Sequence, residues 1–318
     1  MKKTPLLLTA IMLLFNYSCL EQDVLYETIG DTSDDGGGSG TSTILKQYKA
    51  DFGILGYATV DFDASGKATQ QYVQSTIEIP LLGTMSIISS STFARNTSGK
   101  IQTITSILST TYLGATTTET ETSTLTYNTS GQITKITCAE TGNPTETLDL
   151  TYSGNTVNGI YKIGSTTIAN IVYTFNTDGK LQSRVSTTSA AEYKVVLTYT
   201  SENLTKIDHY EDNVLVNSDI SAYDTKTNPI YTQSFTDSNA IIFNNIFSEL
   251  DEEAYAATPS EIILDNSDVD GSEIATSVNN ITSATSNGTT NTYTLNYNSN
   301  NLPISGTAIG ATFTYTYY

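Results

Sequence analysis

The sequence predicts an all-β fold: an antiparallel up-and-down meander of hairpin repeats, curled into a barrel or half-open barrel, with one inserted helix. Three observations lead to this prediction. An aromatic residue followed by a turn recurs about every 24 residues. The stretches between the turns alternate threonine with apolar residues, which is the pattern of a strand with one buried face. Only one segment spaces its apolar residues for a helix.

The repeat is clearest at residues 125–137, which read LTYNTSGQITKIT. Leu, Thr and Tyr favour the pleated surface of a strand, Asn128 can open a turn through its side chain, and Gly131 accepts a positive φ. A four-residue connection ending in glycine suits a type I turn with a glycine bulge, so one repeat is a β-hairpin. Glycine or asparagine recurs at the same place in other copies: Gly99, Gly179, Asn203 and Asn301.

The aromatic residues that precede the turns set the register of the repeats. Their spacing corresponds to two strands of about eight to ten residues and two turns. Strands joined by short turns usually pair, and a wide meander must curl because strands twist and open edges invite aggregation. A closed barrel, a half-open barrel and a spiral all satisfy this requirement. The aromatic positions are Phe62, Phe93, Tyr127, Tyr152, Phe175, Tyr199, Tyr223 and Tyr297.

The helical segment lies at about residues 238–256, after the break at Asn228-Pro229. Asp237 or Ser238 stands where a helix N-cap is expected. An isolated helix of this length is marginal in water, so we expect its apolar stripe to pack as a lid over a barrel mouth or an open sheet face. The side chains expected to form this lid are Ile242, Phe243, Ile246, Phe247 and Leu250.

The first 18 residues have the pattern of a lipoprotein signal peptide. Lys2 and Lys3 precede the apolar run LLLTAIMLLF, which is too short to span a bilayer as a helix. The run ends at NYSC, residues 16–19, where Ser18 before Cys19 resembles a lipobox and Asn16 stands where leucine is usual. The alternative is an ordinary secretory signal peptide that contains a cysteine.

If Cys19 is the first mature residue, it carries acyl chains that anchor the protein to a membrane. Residues 19–43 are acidic and then rich in glycine and serine, which predicts a flexible tether. Residues 44–318 are expected to form a single β-meander domain. The predicted location is the outer membrane, on its periplasmic or its cell-surface face.

Charge and cysteine content exclude several classes of function. The chain has 33 acidic and 14 basic residues and a formal net charge of −19, which disfavours binding to nucleic acid. After Cys19 the only cysteine is Cys138, so we expect no disulfide. Cys138 lies in a strand-like run and is expected to be a small buried apolar side chain.

Few residues are candidates for chemistry. The single histidine, His209, lies in KIDHYEDN, which resembles a polar hairpin tip, so we expect no catalytic role and no zinc site of the usual types. The segment from residue 266 has the spacing of a calcium loop, although Ser277 replaces the expected bidentate glutamate. Calcium is the only candidate cofactor, and its candidate ligands are Asn266, Asp268, Asp270 and Ser272.

The recurring unit Y-N/D-x-x-G-K/Q-I/L resembles the YD repeat of Rhs-type shell proteins. The whole layout is similar to a family of Gram-negative lipoproteins described as having a porin-like β-barrel. That layout comprises a lipobox, an acidic tether, aromatic-turn hairpins, and a YDxKxNP break followed by a helix. The resemblance covers most of the mature chain and implies a β-barrel. It implies no catalytic or ligand-binding residue.

Three functions follow from these observations. The first is a non-enzymatic outer-membrane or cell-surface lipoprotein that acts as a binding or structural module, partnered by the membrane through its anchor and by a protein. The second is a carrier that holds a lipid or another hydrophobic small molecule in a curled sheet under the helical lid. The third is an integral outer-membrane barrel, suggested by the alternating strands and the C-terminal sequence FTYTYY.

Overall fold

The computed structural model describes residues 43–79, 83–234, 237–244, 277–286, 288–308 and 310–318. This part of the chain is almost entirely β-sheet, so the all-β prediction is confirmed. The strands are β1 (Leu45–Asp51), β2 (Gly56–Phe62), β3 (Ala68–Ile79), β4 (Gly83–Arg95), β5 (Ile101–Tyr112), β6 (Ala115–Tyr127), β7 (Ile133–Glu140), β8 (Glu146–Ser153), β9 (Thr156–Ile163), β10 (Thr166–Phe175), β11 (Leu181–Thr188), β12 (Glu192–Thr200), β13 (Asn203–Glu211), β14 (Val214–Thr227), β15 (Asn279–Ser286), β16 (Thr289–Thr292), β17 (Thr294–Tyr297), β18 (Pro303–Ala308) and β19 (Ala311–Tyr317). The helices are α1 (Pro229–Ser234) and α2 (Ser238–Asn244), and a 3-10 turn covers Gly53–Leu55.

The strands form one antiparallel sheet that closes on itself. Consecutive strands pair along the chain, and β1 pairs with both β2 and β19. β16 and β17 are two halves of one strand interrupted at Tyr293, whose N–H donates to the carbonyl of Thr282 (2.9 Å). When β16 and β17 are counted as one strand, the ring has an even number of strands, so β1 and β19 run in opposite directions. These two strands pair, with Ala50 opposite Phe313. The meander is therefore a barrel and not a spiral.

The connections lie at two opposite ends of the barrel because the strands run up and down. We call the end that carries the connections after β2, β4, β6, β8, β10, β12, β14 and β17 the rim end, and the opposite end the far end. The strands that contain the repeated aromatic residues all run toward the rim end. The repeat in the sequence is therefore a repeat of rim-end hairpins.

The hairpin at Asn128 has the predicted geometry. The N–H of Asn128 donates to the carbonyl of Gln132 (2.9 Å), the N–H of Gly131 donates to that of Asn128 (2.9 Å), and Gly131 has a φ of 76°. The register shifts between Thr126 and Tyr127, which is the bulge expected beside such a turn. Equivalent positions with positive φ are Gly99 (75°), Gly179 (78°) and Asn301 (58°).

The turn between β12 and β13 departs from the prediction. Positive φ values occur at Ser201 (49°) and Glu202 (68°), and not at Asn203. This connection is a two-residue turn, in which both central residues adopt positive φ. Asn203 is instead the first residue of β13, and its Nδ2 donates to Oδ1 of Asn279 (2.9 Å).

Inward-pointing and outward-pointing side chains alternate along the strands. On β19, for example, Ala311, Phe313 and Tyr315 are buried, whereas Thr312 and Thr314 are exposed. The inward-pointing apolar side chains form one continuous core cluster, which also includes residues of α1 and α2. Hydroxyl-bearing and charged side chains cover much of the outward face, as the period-two alternation in the sequence requires.

Strands β3 to β6 are longer than the strands beside them. They have 12 or 13 residues each, whereas β2 has 7 and β7 has 8. Pairing between β6 and β7 stops where Glu121 lies opposite Glu140, and pairing between β2 and β3 stops where Gly56 lies opposite Ser75. The extra residues therefore extend the two hairpins past their neighbours at the far end.

The helical insertion follows β14 and therefore enters at the rim end. α2 begins at Ser238, as predicted, and is described as far as Asn244, while residues 245–276 lie outside the described residues. α1 was not predicted. It begins with Pro229 after Asn228, whose Oδ1 accepts from the N–H of Ile230 (3.0 Å), which is an N-cap followed by proline at the first helical position.

Candidate functional site

The described part of the insertion lies across the mouth of the barrel at the rim end. We call residues 228–234 and 237–244 the plug. Its side chains contact β1, β4, β10 and the turn before β11, which come from widely separated parts of the ring. Ile230 and Phe243 are buried in the same core cluster as the strands. The plug thus joins walls of the barrel that do not pair with each other.

Gln233 attaches α1 to the first strand. Its Oε1 accepts from the N–H of Leu45 (2.6 Å) and its Nε2 donates to the carbonyl of Leu45 (3.1 Å). The side-chain amide thereby satisfies both backbone groups of the first residue of β1, as a neighbouring strand would. The rim-end start of β1 is fixed to the plug as well as to its neighbouring strands.

Arg95 and Asp237 form a two-pronged ion pair between β4 and the start of α2. Nη1 donates to Oδ1 (2.9 Å) and Nη2 donates to Oδ2 (2.7 Å), and the two side chains are only 14% and 9% exposed. The guanidinium also donates to the carbonyls of Ala68 (3.0 Å) and Gly99 (3.2 Å). Bidentate pairing and further backbone acceptors are what a largely desolvated arginine requires.

Phe243 packs against the inner wall at β10. Its ring meets Tyr173 edge-on, with centroids 4.8 Å apart at 71°, and Phe175 at 6.2 Å and 85°. Of the five side chains predicted to form the lid, Ile242 and Phe243 are both buried, at 7% and 0% exposure. The remaining three, Ile246, Phe247 and Leu250, lie outside the described residues.

Lysines that follow the turn glycine connect neighbouring hairpins around the rim. Each ammonium group donates to a backbone carbonyl in the turn of the next rim-end hairpin along the chain. Two of these ammonium groups also lie over a tyrosine ring of the repeat, Lys100 over Tyr127 and Lys180 over Tyr199, at 5.4 Å in each case. The three carbonyl contacts are Lys67 to Gly99 (2.9 Å), Lys100 to Gly131 (2.5 Å) and Lys180 to Glu202 (2.6 Å).

The rim tyrosines reach in the opposite direction. The hydroxyl of Tyr127 donates to the carbonyl of Ile101 in the preceding hairpin (2.5 Å), and Tyr223 donates in the same way to Leu204 (2.5 Å). Burial, followed by the charge of Asp237, raises the pKa of Tyr127 to about 12, so this hydroxyl keeps its proton and its donor role. Lysine and tyrosine therefore bind adjacent hairpins to each other from both sides.

Sequence patterns alone did not identify Arg95, Gln233 or the lysines that follow the turn glycines. One signal was present: the residue directly before the turn is Phe62, Tyr127 or Phe175 in other repeats, but Arg95 in the second, where the aromatic Phe93 lies two residues earlier. A charged residue at an aromatic position of a repeat indicates a residue of opposite charge nearby. The sequence does not show which residue this is, because Asp237 lies 142 positions further along the chain. The recurring G-K pair was a similar signal for the rim contacts.

His209 does not lie at a hairpin tip as the sequence suggested. The tip is at Asp212 and Asn213, which have positive φ, whereas His209 lies within β13 opposite Asn217. Its Nε2 is 2.9 Å from Oδ2 of Asp219, a fully buried carboxylate that also accepts from Nδ2 of Asn217 (2.8 Å). The polar residues that follow His209 in the sequence suggested a tip two residues too early.

The cavity at the rim-end interior is small. Its volume is about 10 Å³, which is room for about one water molecule, and Tyr48, Tyr293 and Phe313 line it with neighbouring side chains. Cys138 is buried without a disulfide, and burial raises the pKa of its thiol. In the part of the chain that the structure describes, no group of three or more His, Cys, Asp or Glu side chains is arranged to hold a metal ion.

Two sets of predicted site residues lie outside the described residues. They are the lipidation site Cys19 and the candidate calcium ligands Asn266, Asp268, Asp270 and Ser272. Within the described ranges, neither helix is long and apolar enough to cross a membrane.

No protein-family model matches the chain, and no curated protein matches it either. Among solved structures, it is similar to a porin-like protein from Bacteroides uniformis at 14% sequence identity and a TM-score of 0.44. That match covers 87% of this chain and 98% of the other. The identity is too low to carry the role of any residue from one chain to the other.

Proposed function

We propose that the protein is a non-enzymatic lipoprotein of the outer membrane, whose barrel stands in water on a lipid tether and acts as a binding or structural module. One observation carries this proposal: the outward face of the barrel wall bears charged and hydroxyl side chains. A barrel embedded in a bilayer presents an apolar band outward and polar groups inward.

The outward charges occur in well-separated parts of the ring. Lys135 on β7 and Lys162 on β9 both pair with Asp149 on β8, at 3.3 and 2.8 Å, and all three side chains are between 32% and 44% exposed. Asp149 alternates with the buried Leu148 and Leu150, so it points outward. A lysine facing lipid at the middle of a bilayer costs roughly 2–4 kcal/mol, which argues against the integral-barrel alternative.

Two further outward pairs extend this argument around the wall. Lys49 and Asp51 on β1 lie 2.8 Å apart and alternate with buried Tyr48 and Ala50. On β13, Lys206 pairs with Asp208 at 2.9 Å. Charged pairs thus lie on the outward face of β1, of β7 to β9 and of β13, although the wall also exposes apolar side chains such as Ile107 and Leu215.

The attachment to the membrane is then supplied by the N-terminus. The sequence NYSC after an apolar run supports lipidation at Cys19, and two or three acyl chains hold a soluble domain at a membrane. Residues 19–43 give the barrel a tether rich in acidic residues, glycine and serine. Either the periplasmic or the cell-surface face of the outer membrane is compatible with this arrangement.

At the rim-end cavity, which described residues line, a carrier function would require the plug to move. The cavity at the rim end has room for about one water molecule, whereas pockets for small ligands measure hundreds of cubic ångströms. A hydrophobic ligand would have to replace buried side chains such as Phe243 and Ile230. The binding-module proposal needs no such rearrangement and is therefore preferred.

Membrane fractionation tests the proposal, with a matched pair of cysteine variants. Wild type and Cys138→Ala should both fractionate with the outer membrane and carry acyl mass, whereas Cys19→Ala should be released as a soluble folded protein. If Cys19→Ala stays in the membrane after carbonate extraction, the wall is inserted in lipid and the proposal is wrong. Wild-type protein without acyl mass would contradict the anchor.

A further inference from the structure

The extension of β3 to β6 at the far end leaves one strand edge without a partner. β7 pairs with β6 only from Glu121 to Tyr127, so residues 115–120 of β6 pair with β5 on one side alone. All six of these residues are exposed, and no described backbone group bonds to their outer edge. A strand edge of this kind presents a row of unpaired N–H and C=O groups that can accept another strand.

The opposite edge of the same extension is different. β3 also extends beyond its pairing with β2, but the 3-10 turn Gly53–Leu55 packs against it there. The edge of β6 has little of the usual protection, since residues 115–120 read ATTTET, with the single charge of Glu119 and without lysine, proline or a bulge. Of the two edges of this extension, only that of β6 is therefore left uncovered by described residues.

Carboxylates lie where a strand added to this edge would begin. Glu121 and Glu140 are directly opposite each other on β6 and β7, and Glu119 lies two residues further along the same face of β6. Like charges directly opposite on neighbouring strands repel each other. Burial, with a further contribution from the charge of Glu140, raises the pKa of Glu121. A cation placed beside this group would relieve the repulsion.

We propose that residues 115–120 of β6 bind an extended basic segment of another protein by β-strand addition. The added strand continues the line of β7 beyond Glu140. Its alternate side chains point toward Glu119, Glu121 and Glu140 and are lysine or arginine, while the others lie beside the outward threonines Thr116, Thr118 and Thr120.

A second copy of this chain fits the edge less well. Pairing two identical edges would bring the two carboxylate groups toward each other across a symmetric interface, between molecules that each carry a formal charge of −19. A basic partner meets the same carboxylates with complementary charge, which also speeds association and fixes the register. The charge of the edge therefore selects the partner.

Binding of capped synthetic peptides to the full-length protein tests the proposal. The probe is a peptide of alternating threonine and lysine, and its controls are a glutamate-for-lysine peptide and a lysine peptide N-methylated at every amide. The lysine peptide should bind, and amide hydrogen exchange should slow at residues 115–120. Both control peptides should bind at least about tenfold more weakly, since one lacks the charge and the other the strand hydrogen bonds.

Matched variants identify the site on the protein. Replacing Glu119, Glu121 and Glu140 together by glutamine should weaken binding of the lysine peptide about tenfold, because three partly exposed charge pairs are lost. Glu78→Gln, which removes an exposed carboxylate elsewhere on the same extension, should leave binding unchanged. Neither protein should unfold below the wild-type midpoint, and the triple variant should unfold slightly above it because the repulsion between Glu121 and Glu140 is gone. A midpoint at or above that of the wild type separates lost binding from lost folding.

Three results would overturn the proposal. The first is no binding of the lysine peptide to the wild-type protein, and the second is equal binding of the N-methylated peptide, which would indicate charge attraction without strand addition. The third is dimerisation of the protein alone with protection of residues 115–120, which would make the partner a second copy.

Discussion

The two ends of this barrel are built from the same antiparallel sheet, yet they are held together differently. At the rim end, Lys100 and Tyr127 bind neighbouring hairpins to each other, and the plug connects distant strands through Arg95 and Phe243. At the far end, the extended hairpin of β5 and β6 relies mainly on its own strand pairing and on hydroxyl contacts such as that between Ser109 and Thr118 (3.0 Å).

This difference explains what the sequence repeat is for. Hydrogen bonds of the backbone ladder are available to any strand, so they do not require a recurring motif. The aromatic residue, the turn and the lysine recur because they join several rim-end hairpins to a neighbouring one. The far end has no such motif, and there the strands vary in length and leave an edge unpaired.

The largest expected effect concerns the plug. Phe243→Ala should lower the free energy of unfolding by about 3–5 kcal/mol, because it removes a fully buried ring that packs on Tyr173 and Phe175. Leu113→Ala at the far end should change it by less than about 0.5 kcal/mol, since Leu113 is 74% exposed. Denaturant unfolding measures both, and equal costs would remove the energetic contrast between the ends.

The second expected effect concerns the ion pair between β4 and α2. Arg95→Met should cost about 3 kcal/mol, because it leaves the largely buried Asp237 carboxylate without its partner. Adding Asp237→Asn to Arg95→Met should recover part of the loss, because the uncompensated charge is gone. A double-mutant cycle with near-zero coupling would show that the plug is held by packing alone.

The third expected effect isolates one rim contact by comparing two equivalent glycines. Alanine at Gly131 or Gly179 forces a side chain into positive φ at a cost of about 1–2 kcal/mol. At Gly131 the added Cβ would also lie 2.2 Å from Nζ of Lys100, whereas at Gly179 nothing lies within 4 Å. Gly131→Ala should therefore cost about 1 kcal/mol more than Gly179→Ala. Equal unfolding midpoints would mean that the lysine contact contributes nothing.

The smallest expected effect concerns the outward wall. The hydrogen bond from Lys162, followed by that from Lys135, lowers the pKa of Asp149. The stabilisation this implies is present above the unfolded-state pKa of about 3.9 and is lost as the pH falls through the lower folded-state pKa. Because the pair is exposed, Asp149→Asn should change stability at pH 7 by less than about 1 kcal/mol. A larger loss would mean that this part of the wall is shielded from water.

Much of the fold could be predicted from local sequence signals. The period of the aromatic residues predicts the hairpins, and Gly131 predicts the bulged turn, because both depend on residues a few positions apart. The start of α2 could be predicted for the same reason. The start of α1 also has a local signal, because Asn228-Pro229, which breaks the strand pattern, suits an N-cap followed by proline at the first helical position.

The contacts that define the candidate site could not be predicted in this way. Gln233 meets Leu45 across 188 residues, and Arg95 meets Asp237 across 142. Local periodicity carries no information on such pairs, nor on the pairing of β1 with β19 that closes the ring. The free edge of β6 follows from a difference in strand length, and the sequence marks strand ends less clearly than strand interiors.

Native-state hydrogen exchange tests the central comparison most directly. The measurement uses the Cys19→Ala protein without detergent. Amides near Tyr127 and Phe175 at the rim end should exchange at least about tenfold more slowly than amides of residues 110–120 at the far end. This ratio corresponds to a difference of about 1.4 kcal/mol in the free energy of opening. Equal rates, or slower exchange at the far end, would contradict the account that the rim end holds this barrel together.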